Sequence, residues 1–329
     1  MIRVAINGFG RIGRSFTRAI QNHPNIELIA INDLADINTL AHLLKYDSIH
    51  SAFNGEVSTD KKNLTINGKT IKVCNEKEPK NLPWGDLDID VVIESTGRFL
   101  TKELANGHLI AGAKKVILSA PPKSDDVTTV VLGINEEVLA DKEQIISNAS
   151  CTTNAAAPLI KVLHDLYHME SAYITTVHSY TSDQTLHDAP HRDLRRARAG
   201  ALSIIPTTTG AAKAITKIFP DLDGKIGGCG VRVPVPNGSL IDISVILKED
   251  PNVNEINQAF KTASENELKG ILEYTDEPLV SIDIVGNPHS CIFDSDLTSI
   301  TGHMVKIMGW YDNEMGYSNR LADLVEKIS

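Results

Sequence analysis

Cysteine is scarce in this chain. Its four residues, at positions 74, 151, 229 and 291 of 329, lie too far apart for a disulfide framework or a zinc-ligand pattern, so we expect no metal site and a reducing cytoplasm. No apolar run reaches the ~18 residues that a membrane span requires. A basic excess is missing as well: the formal net charge is −10, which argues against nucleic acid as the main partner, because phosphate backbones demand a cationic surface. The N-terminus has no charged-then-apolar signal segment, and no internal repeat or low-complexity stretch interrupts the chain. What remains is ordinary for a globular protein with a sizeable core, 42% hydrophobic and 22% charged residues. The length fits about two domains of ~150 residues each.

The chain starts on an apolar run, Ile2–Ile6, followed by Asn7-Gly8-Phe9-Gly10-Arg11-Ile12-Gly13. A G-x-G-x-x-G triplet between a strand candidate and a helix candidate has the context that gives it mechanism. Gly8 permits a tight turn, Gly10 lets the backbone approach a pyrophosphate, and Gly13 lets the helix pack on the strand. A second apolar run, Ile26–Ile31, ends at Asn32-Asp33, about 20 residues past Gly13, where an acid is placed to accept from an adenine ribose hydroxyl. A carboxylate there repels a 2′-phosphate. No Arg or Lys follows within the next several residues, so NAD is favoured over NADP.

The α/β alternation continues. Leu64–Val73 predicts a hairpin on Asn67-Gly68, Asp90–Glu94 and Lys115–Ser119 predict parallel strands, and 101–113 predicts a helix between them. Thr96, Gly97 and Ser119 then fall at carboxyl strand ends, where open α/β sheets bind ligands, although turn chemistry explains the same residues. Past residue 149 the pattern changes. Ser239–Leu247, Val280–Val285 and Met304–Tyr311 alternate as strands of an antiparallel or mixed sheet, with helices over 210–218 and 253–268. Leu321, Leu324, Val325 and Ile328 make the last segment an amphipathic helix.

The segment Ser147-Asn-Ala-Ser-Cys151-Thr-Thr-Asn154 sets one thiol at the start of a helix candidate over 152–168. Unpaired N–H groups and the helix dipole at such a position favour thiolate; a buried structural Cys is the competing reading. Pro158 predicts a kink or a late start. That helix would run ~25 Å, and a strand over 172–178 would return ~23 Å. As antiparallel neighbours they bring His178 back beside Cys151, the proximity that a thiol nucleophile and its base require.

With these residues in place, the chain resembles the phosphorylating glyceraldehyde-3-phosphate dehydrogenase family. The resemblance is carried by Asn7–Arg14, Ser147–Asn154, Asp193-Leu-Arg-Arg-Ala-Arg198, Ile205–Ala214 and Trp310-Tyr-Asp-Asn-Glu314, in family order and nearly end to end. It implies an α/β architecture: a Rossmann-type NAD-binding domain over 1–149, with helix 314–329 packing back on it, and an α+β catalytic domain over 150–313 with a mixed, largely antiparallel sheet. It implies oxidation of glyceraldehyde 3-phosphate with NAD and inorganic phosphate through a Cys151 thiohemiacetal and thioester, with His178 as base, in a cytoplasmic homotetramer.

Carried over residue by residue, the substrate phosphate falls to Thr181 and Arg232. The attacking phosphate falls to Ser150, Thr152, Arg196, Thr209 and Gly210. Guanidinium forks, hydroxyls and a closely approachable glycine N–H all suit a phosphate. A solvated cationic face is the competing reading for Arg195, Arg196 and Arg198 as a cluster, and Arg195 and Arg198 also suit subunit contacts. Cofactor contacts fall to Arg11, Ile12, Asp33, Lys77, Ser119 and Asn313, with Tyr317 nearby. The chain departs from the family pattern at Ala155, where many members carry a second Cys, at Val235 and Gly238, at Met315, and at Ala189, which leaves some NADP use open. Erythrose-4-phosphate dehydrogenase and a non-catalytic NAD-binding protein are the alternatives; the Thr207–Ala212 run with Arg196 speaks against the first, and Cys151 with His178 against the second.

Overall fold

The computed structural model describes residues 1–140 and 142–329. The chain forms two compact units: Met1–Val130 with Glu136–Ala149 and Ser318–Ser329, and Val131–Asn135 with Ser150–Tyr317.

The first unit holds β1 (Ile2–Asn7), α1 (Arg11–Ala19), β2 (Ile26–Asn32), α2 (Ile37–Lys45), β3 (Tyr46–Asp47), β4 (Ser51–Ala52), β5 (Val57–Thr59), β6 (Asn63–Ile66), β7 (Lys69–Cys74), β8 (Val91–Glu94), α3 (Lys102–Ile110), β9 (Lys115–Leu118), β10 (Thr128–Thr129) and β11 (Ile145–Ser147). Nine of these strands form one sheet in the order β10-β11-β9-β8-β1-β2-β7-β6-β5. The run from β10 to β7 is parallel, and β6 and β5 extend it antiparallel. Its central strands β1 and β8 are apolar through Val4–Ile6 and Val91–Ile93 because both faces are covered there, with Val4, Ile6, Val92 and Ile93 fully buried. The predicted hairpin joins β6 to β7 through Asn67 at φ 49 and Gly68 at φ 78, two consecutive positive φ angles that Asn-Gly tolerates.

The second unit holds α4 (Cys151–Tyr167), β12 (Met169–Ser179), β13 (Ile205–Thr207), α5 (Ala211–Ile218), β14 (Ile226–Val233), β15 (Ser239–Leu247), α6 (Val253–Glu265), β16 (Leu272–Thr275), β17 (Cys291–Thr301) and β18 (Met304–Tyr311); α7 (Met315–Ile328) closes the chain. The sheet order is β13-β14-β12-β15-β18-β17-β16, mixed and mostly antiparallel, with β12–β14 and β16–β17 as its parallel pairs. Strand β15 alternates buried and half-buried residues along its whole length, the signature of one face turned to a core. Helix α4 packs against that sheet and against α5 and α6. Among the described residues, no helix is long and apolar enough to cross a membrane.

Two sequence expectations need correction. Val280–Val285 is not a strand: residues 281–286 form turns. The Asp283 carboxylate accepts the Val280 amide at 2.8 Å, and the Asp283 amide bonds back to the Val280 carbonyl. Such local bonds compete with a sheet ladder. The alternation was misleading because Ile284 is buried while Ile282 is 69% exposed. Nor does Pro158 delay α4, which begins at Cys151 and runs through the proline. Ser150 caps the helix, its Oγ accepting the Thr153 amide at 3.1 Å, so the first turn is fixed well ahead of the residue that lacks an N–H.

Candidate active site

The first unit contains a cavity of about 290 Å³ above the carboxyl ends of β1, β2 and β8. Of the residues the sequence singled out, Gly8, Gly10, Asp33, Lys77 and Thr96 line it. The glycines divide their work as their surroundings dictate. Gly8 sits at φ +94, and a Cβ on it would lie 2.8 Å from the Thr96 amide nitrogen; a Cβ on Gly13 would lie 2.4 Å from the Gly8 carbonyl oxygen. A Cβ on Gly10 would meet nothing within 4 Å, so its missing side chain leaves open space at the N-terminus of α1. That cradle, with the helix N–H groups behind it, fits a pyrophosphate.

The Asp33 carboxylate is anchored by the Phe9 amide at 2.8 Å and the Ala35 amide at 3.0 Å. Arg11 turns its guanidinium to Asp47 at 2.6 Å, while Ile12 and Gly13 lie in the first turn of α1 rather than on the cavity wall. Gly97, at φ 71, makes the turn after Thr96, and the Ser119 amide closes the end of β9 on the Glu94 carbonyl. Sequence reasoning missed Asn7, Asn32, Ser95 and Arg98 on this wall. The first two were legible as the polar residues that end β1 and β2.

Beneath Asn7 and Thr96 lies a fully buried network. Glu94 accepts from Asn7 Nδ2 at 2.6 Å and from the Thr96 amide at 2.9 Å, and meets His108 Nε2 at 3.1 Å. Trp84 Nε1 donates to His108 Nδ1 at 3.0 Å, which places the imidazole proton on Nε2, facing the carboxylate. A carboxyl group in the core is tolerable only with such saturation.

In the second unit, Cys151 is the first residue of α4 and His178 the penultimate residue of β12. Their Sγ and Nε2 atoms lie 3.6 Å apart. Along β12, Ile174, Thr176 and His178 all point inward at the two-residue period of a strand, which selects the face that His178 presents. Tyr311 ties the two elements together: its hydroxyl meets Thr152 Oγ1 at 3.1 Å and Thr176 Oγ1 at 2.8 Å, and its ring stands edge-on to His178 with centroids 6.0 Å apart. Nothing in the local sequence marked Tyr311 for this role.

The electrostatics differ from the expected thiolate. Burial pushes the Cys151 thiol up, and the Arg232 charge and the N–H groups of the first helical turn offset it only in part. Burial, and then the adjacent Arg232, lower His178 from 6.5 to about 3. Both shifts act against a thiolate–imidazolium pair, because loss of solvent opposes the helix terminus.

Arg232 Nη1 lies 2.6 Å from His178 Nδ1 and 2.7 Å from the Ser179 carbonyl oxygen. Arg196 is held by Thr207 Oγ1 at 3.0 Å and Asp183 at 2.8 Å, and its charge is close enough to lower Arg232 and His178. Thr209 Oγ1 accepts the Ala211 amide at 3.2 Å, and Gly210 caps α5 with open space at its Cβ position. Thr181 lies just past the end of β12, where its carbonyl accepts the Gln184 amide. Ser150 spends its hydroxyl on the cap and Thr152 on Tyr311. Asn313 accepts from Ser239 at 2.9 Å, and Tyr317 is buried.

Residues 2–102 match the NAD-binding domain of glyceraldehyde 3-phosphate dehydrogenase, and residues 150–313 match its C-terminal domain. The chain is 54% identical over 330 residues to glyceraldehyde-3-phosphate dehydrogenase of Geobacillus stearothermophilus, covering 100% of this chain and 98% of that one. It is 54% identical over 334 residues to the Mycobacterium avium enzyme of the same name, covering 99% and 98%. Against glyceraldehyde-3-phosphate dehydrogenase 1 of Bacillus subtilis, the identity is 52% over 330 residues, covering 100% and 98%. Agreement this complete, reaching through the glycine cradle and the Cys–His pair alike, means that the chain belongs to the glyceraldehyde-3-phosphate dehydrogenase family.

Proposed function

We propose that this chain oxidises D-glyceraldehyde 3-phosphate to 1,3-bisphosphoglycerate with NAD and inorganic phosphate. The observation that carries the reading is the 3.6 Å approach of Cys151 Sγ to His178 Nε2 within a chain that also builds a dinucleotide cradle. Cys151 Sγ bonds to the aldehyde carbon as the carbonyl π bond opens and the thiol proton passes, by way of His178 Nε2, to the oxygen, giving a thiohemiacetal. His178 Nε2 then takes the hydroxyl proton as the C1 hydrogen leaves as hydride, and a thioester remains. NAD, when bound, supplies the acceptor for that hydride. Inorganic phosphate attacks the thioester carbon, the C–S bond breaks, and the sulfur regains its proton.

Gly8, Gly10, Asp33, Lys77 and Thr96 hold the cofactor, with Arg11, Ile12, Gly13, Gly97, Ser119, Asn313 and Tyr317 around it. Arg232 and Thr181 take the substrate phosphate. Arg196, Thr209 and Gly210, with Ser150 and Thr152, take the attacking one. Residues 1–149 with 314–329 serve as the NAD-binding domain and 150–313 as the catalytic domain.

A cytoplasmic homotetramer completes the proposal. Leu186, Leu194, Leu202 and Ile204 are 70–82% exposed within one segment, an apolar surface that self-association would cover. NADH absorbance in the presence of aldehyde, NAD and phosphate, with each omitted in turn, tests the reaction. Turnover that ignores phosphate, or that prefers erythrose 4-phosphate, would reject it. Sedimentation velocity tests the assembly, and a monomer at micromolar concentration would reject that part.

A further inference from the structure

We propose that Glu94, steadied by His108, is the positioning residue of the dinucleotide cavity: through one chain of side-chain hydrogen bonds, its carboxyl group fixes both walls before any cofactor arrives. The inference rests on the reading of that cavity as the NAD cradle. Glu94 ends β8, Asn7 ends β1 and Asn32 ends β2. These strands lie side by side in the sheet, and Asn7 is the register partner of both other residues. Side chains in register on adjacent strands share a face, so the three polar groups meet in a row across the carboxyl ends.

The row has a fixed direction. Both Glu94 oxygens are taken by donors: Oε1 by the Thr96 amide at 2.9 Å and the Thr96 hydroxyl, Oε2 by Asn7 Nδ2 at 2.6 Å and His108 Nε2 at 3.1 Å. Asn7 therefore presents Nδ2 to the carboxyl group, which leaves its Oδ1 to accept from Asn32 Nδ2 at 2.7 Å. Asn32 Nδ2 also donates to the Glu76 carbonyl at 2.9 Å, and its Oδ1 accepts the Glu76 amide at 2.8 Å. One wall of the cavity, Glu76–Lys77 beyond β7, is thereby tied to Glu94 through two side-chain amides. The other wall, Thr96–Arg98 beyond β8, is tied to it directly, with Thr96 Oγ1 accepting the Arg98 amide at 3.1 Å. At the far end, Trp84 Nε1 orients His108 so that Nε2 donates.

Glu94 and His108 are fully buried and do not line the cavity, whereas Asn7, Asn32, Glu76, Lys77, Thr96 and Arg98 all do. Filling the core alone would need no polar groups here, since apolar side chains of similar volume serve as well or better. A saturated network whose branches end on the cavity wall instead holds that wall still, and a preformed wall lowers the ordering cost of binding.

The probe is ADP-ribose, which carries the adenosine and pyrophosphate but no nicotinamide. Glu94→Gln keeps the shape and exchanges one acceptor oxygen for a donor, so a contact to Asn7, Thr96 or His108 is lost. Calorimetric affinity for ADP-ribose should fall by about tenfold, the worth of one hydrogen bond, and the apparent KM for NAD should rise by the same factor. The hydride burst with glyceraldehyde 3-phosphate at saturating NAD should be nearly unchanged, as for a loss of ground-state binding. His108→Leu removes the Nε2 donor and should repeat the pattern. His108→Gln returns an N–H near that position and should restore most of the loss.

Unaltered ADP-ribose affinity in Glu94→Gln, a burst that falls with the affinity, or a loss in His108→Gln as deep as in His108→Leu overturns the proposal. If Glu94→Gln does not fold, the two His108 variants decide by the same criteria. Wild-type protein that reduces NAD but binds no ADP-ribose rejects the cradle assignment and the proposal with it. Variants that bind ADP-ribose as wild type does reject the positioning role alone.

Discussion

Asp33 is tied to the loop beside it, its Oδ2 accepting the Phe9 amide at 2.8 Å from between Gly8 and Gly10. The carboxylate that we assign to the ribose thus also shapes the cradle. Asp33→Asn keeps an oxygen for Phe9 and removes the charge, whereas Asp33→Gly removes both. Both should raise the NADP:NAD activity ratio, because a 2′-phosphate no longer meets a like charge. The glycine variant should also bind either cofactor more weakly. Steady-state kinetics with both cofactors decides; an unchanged ratio in both variants would move cofactor choice to the Ala189 segment.

Gly10 and Gly13 should fail differently. A Cβ on Gly13 meets the Gly8 carbonyl at 2.4 Å, so Gly13→Ala should lower unfolding free energy by about 1–3 kcal/mol, as overpacking does. Gly10→Ala, with nothing within 4 Å, should leave stability nearly unchanged and still impair NAD binding. Denaturant unfolding alongside cofactor titration checks both halves. Normal NAD affinity in Gly10→Ala would mean that the pyrophosphate does not use this loop.

The raised Cys151 thiol sets the pH dependence of its alkylation. In ligand-free protein the rate with iodoacetamide should still be climbing at pH 9, since burial moves the thiol above its ordinary value. A plateau reached by pH 7 would reveal a thiolate–imidazolium pair instead. Cys291 is fully buried, with its thiol displaced further in the same direction, and should not label at all until the protein unfolds. Cys151→Ser should bind NAD and lose nearly all dehydrogenase turnover.

His178 links activity to acid stability. Its folded value is about 3 against 6.5, so between those limits the unfolded chain binds a proton that the folded chain refuses. Its contribution is complete above pH ~6.5 and is lost as pH falls towards 3, at no more than about 1.4 kcal/mol per pH unit. His178→Asn should flatten the decline in stability between pH 7 and 5 while slowing hydride transfer by ~10²–10⁴-fold. An equally steep decline in the variant would place the acid sensitivity elsewhere.

The two anion pockets should separate kinetically. Arg232→Ala should weaken glyceraldehyde 3-phosphate far more than glyceraldehyde, by ~1.5–3 kcal/mol for a charge-assisted contact. Arg196→Ala and Thr209→Ala should raise the apparent requirement for inorganic phosphate and leave the first-turnover burst comparatively intact. Burst amplitude against phosphate concentration reads both, and a burst lost only in Arg196→Ala would reverse the assignment.

Local chemistry made the cradle and the Cys–His pair legible. Asn67-Gly68 dictated its hairpin through backbone angles, and the expected return of a strand over 172–178 along a helix over 152–168 brought His178 towards Cys151 without any contact information, although β12 begins earlier, at Met169, and is longer than that reading required. What the sequence hid was long-range. Trp84 and Glu94 meet at His108 through a fold that no local period encodes. Tyr311 reaches Thr152 from 159 residues away. The upward push on the Cys151 thiol was hidden for the same reason, because desolvation depends on everything packed around a group and the helix terminus only on its own first turn.

The span between Cys151 and His178 restricts how this chain can tolerate insertions. One extra residue within α4 would rotate everything beyond it by ~100° around the helix axis. One extra residue in β12 would send the imidazole to the opposite face of the sheet. Only the junction at His168, which turns the chain at φ 46 between the two elements, could absorb a change of length without breaking both periodicities. The 27 positions separating the pair therefore behave as a ruler: length changes in exposed loops are cheap, and here they carry the imidazole away from the thiol.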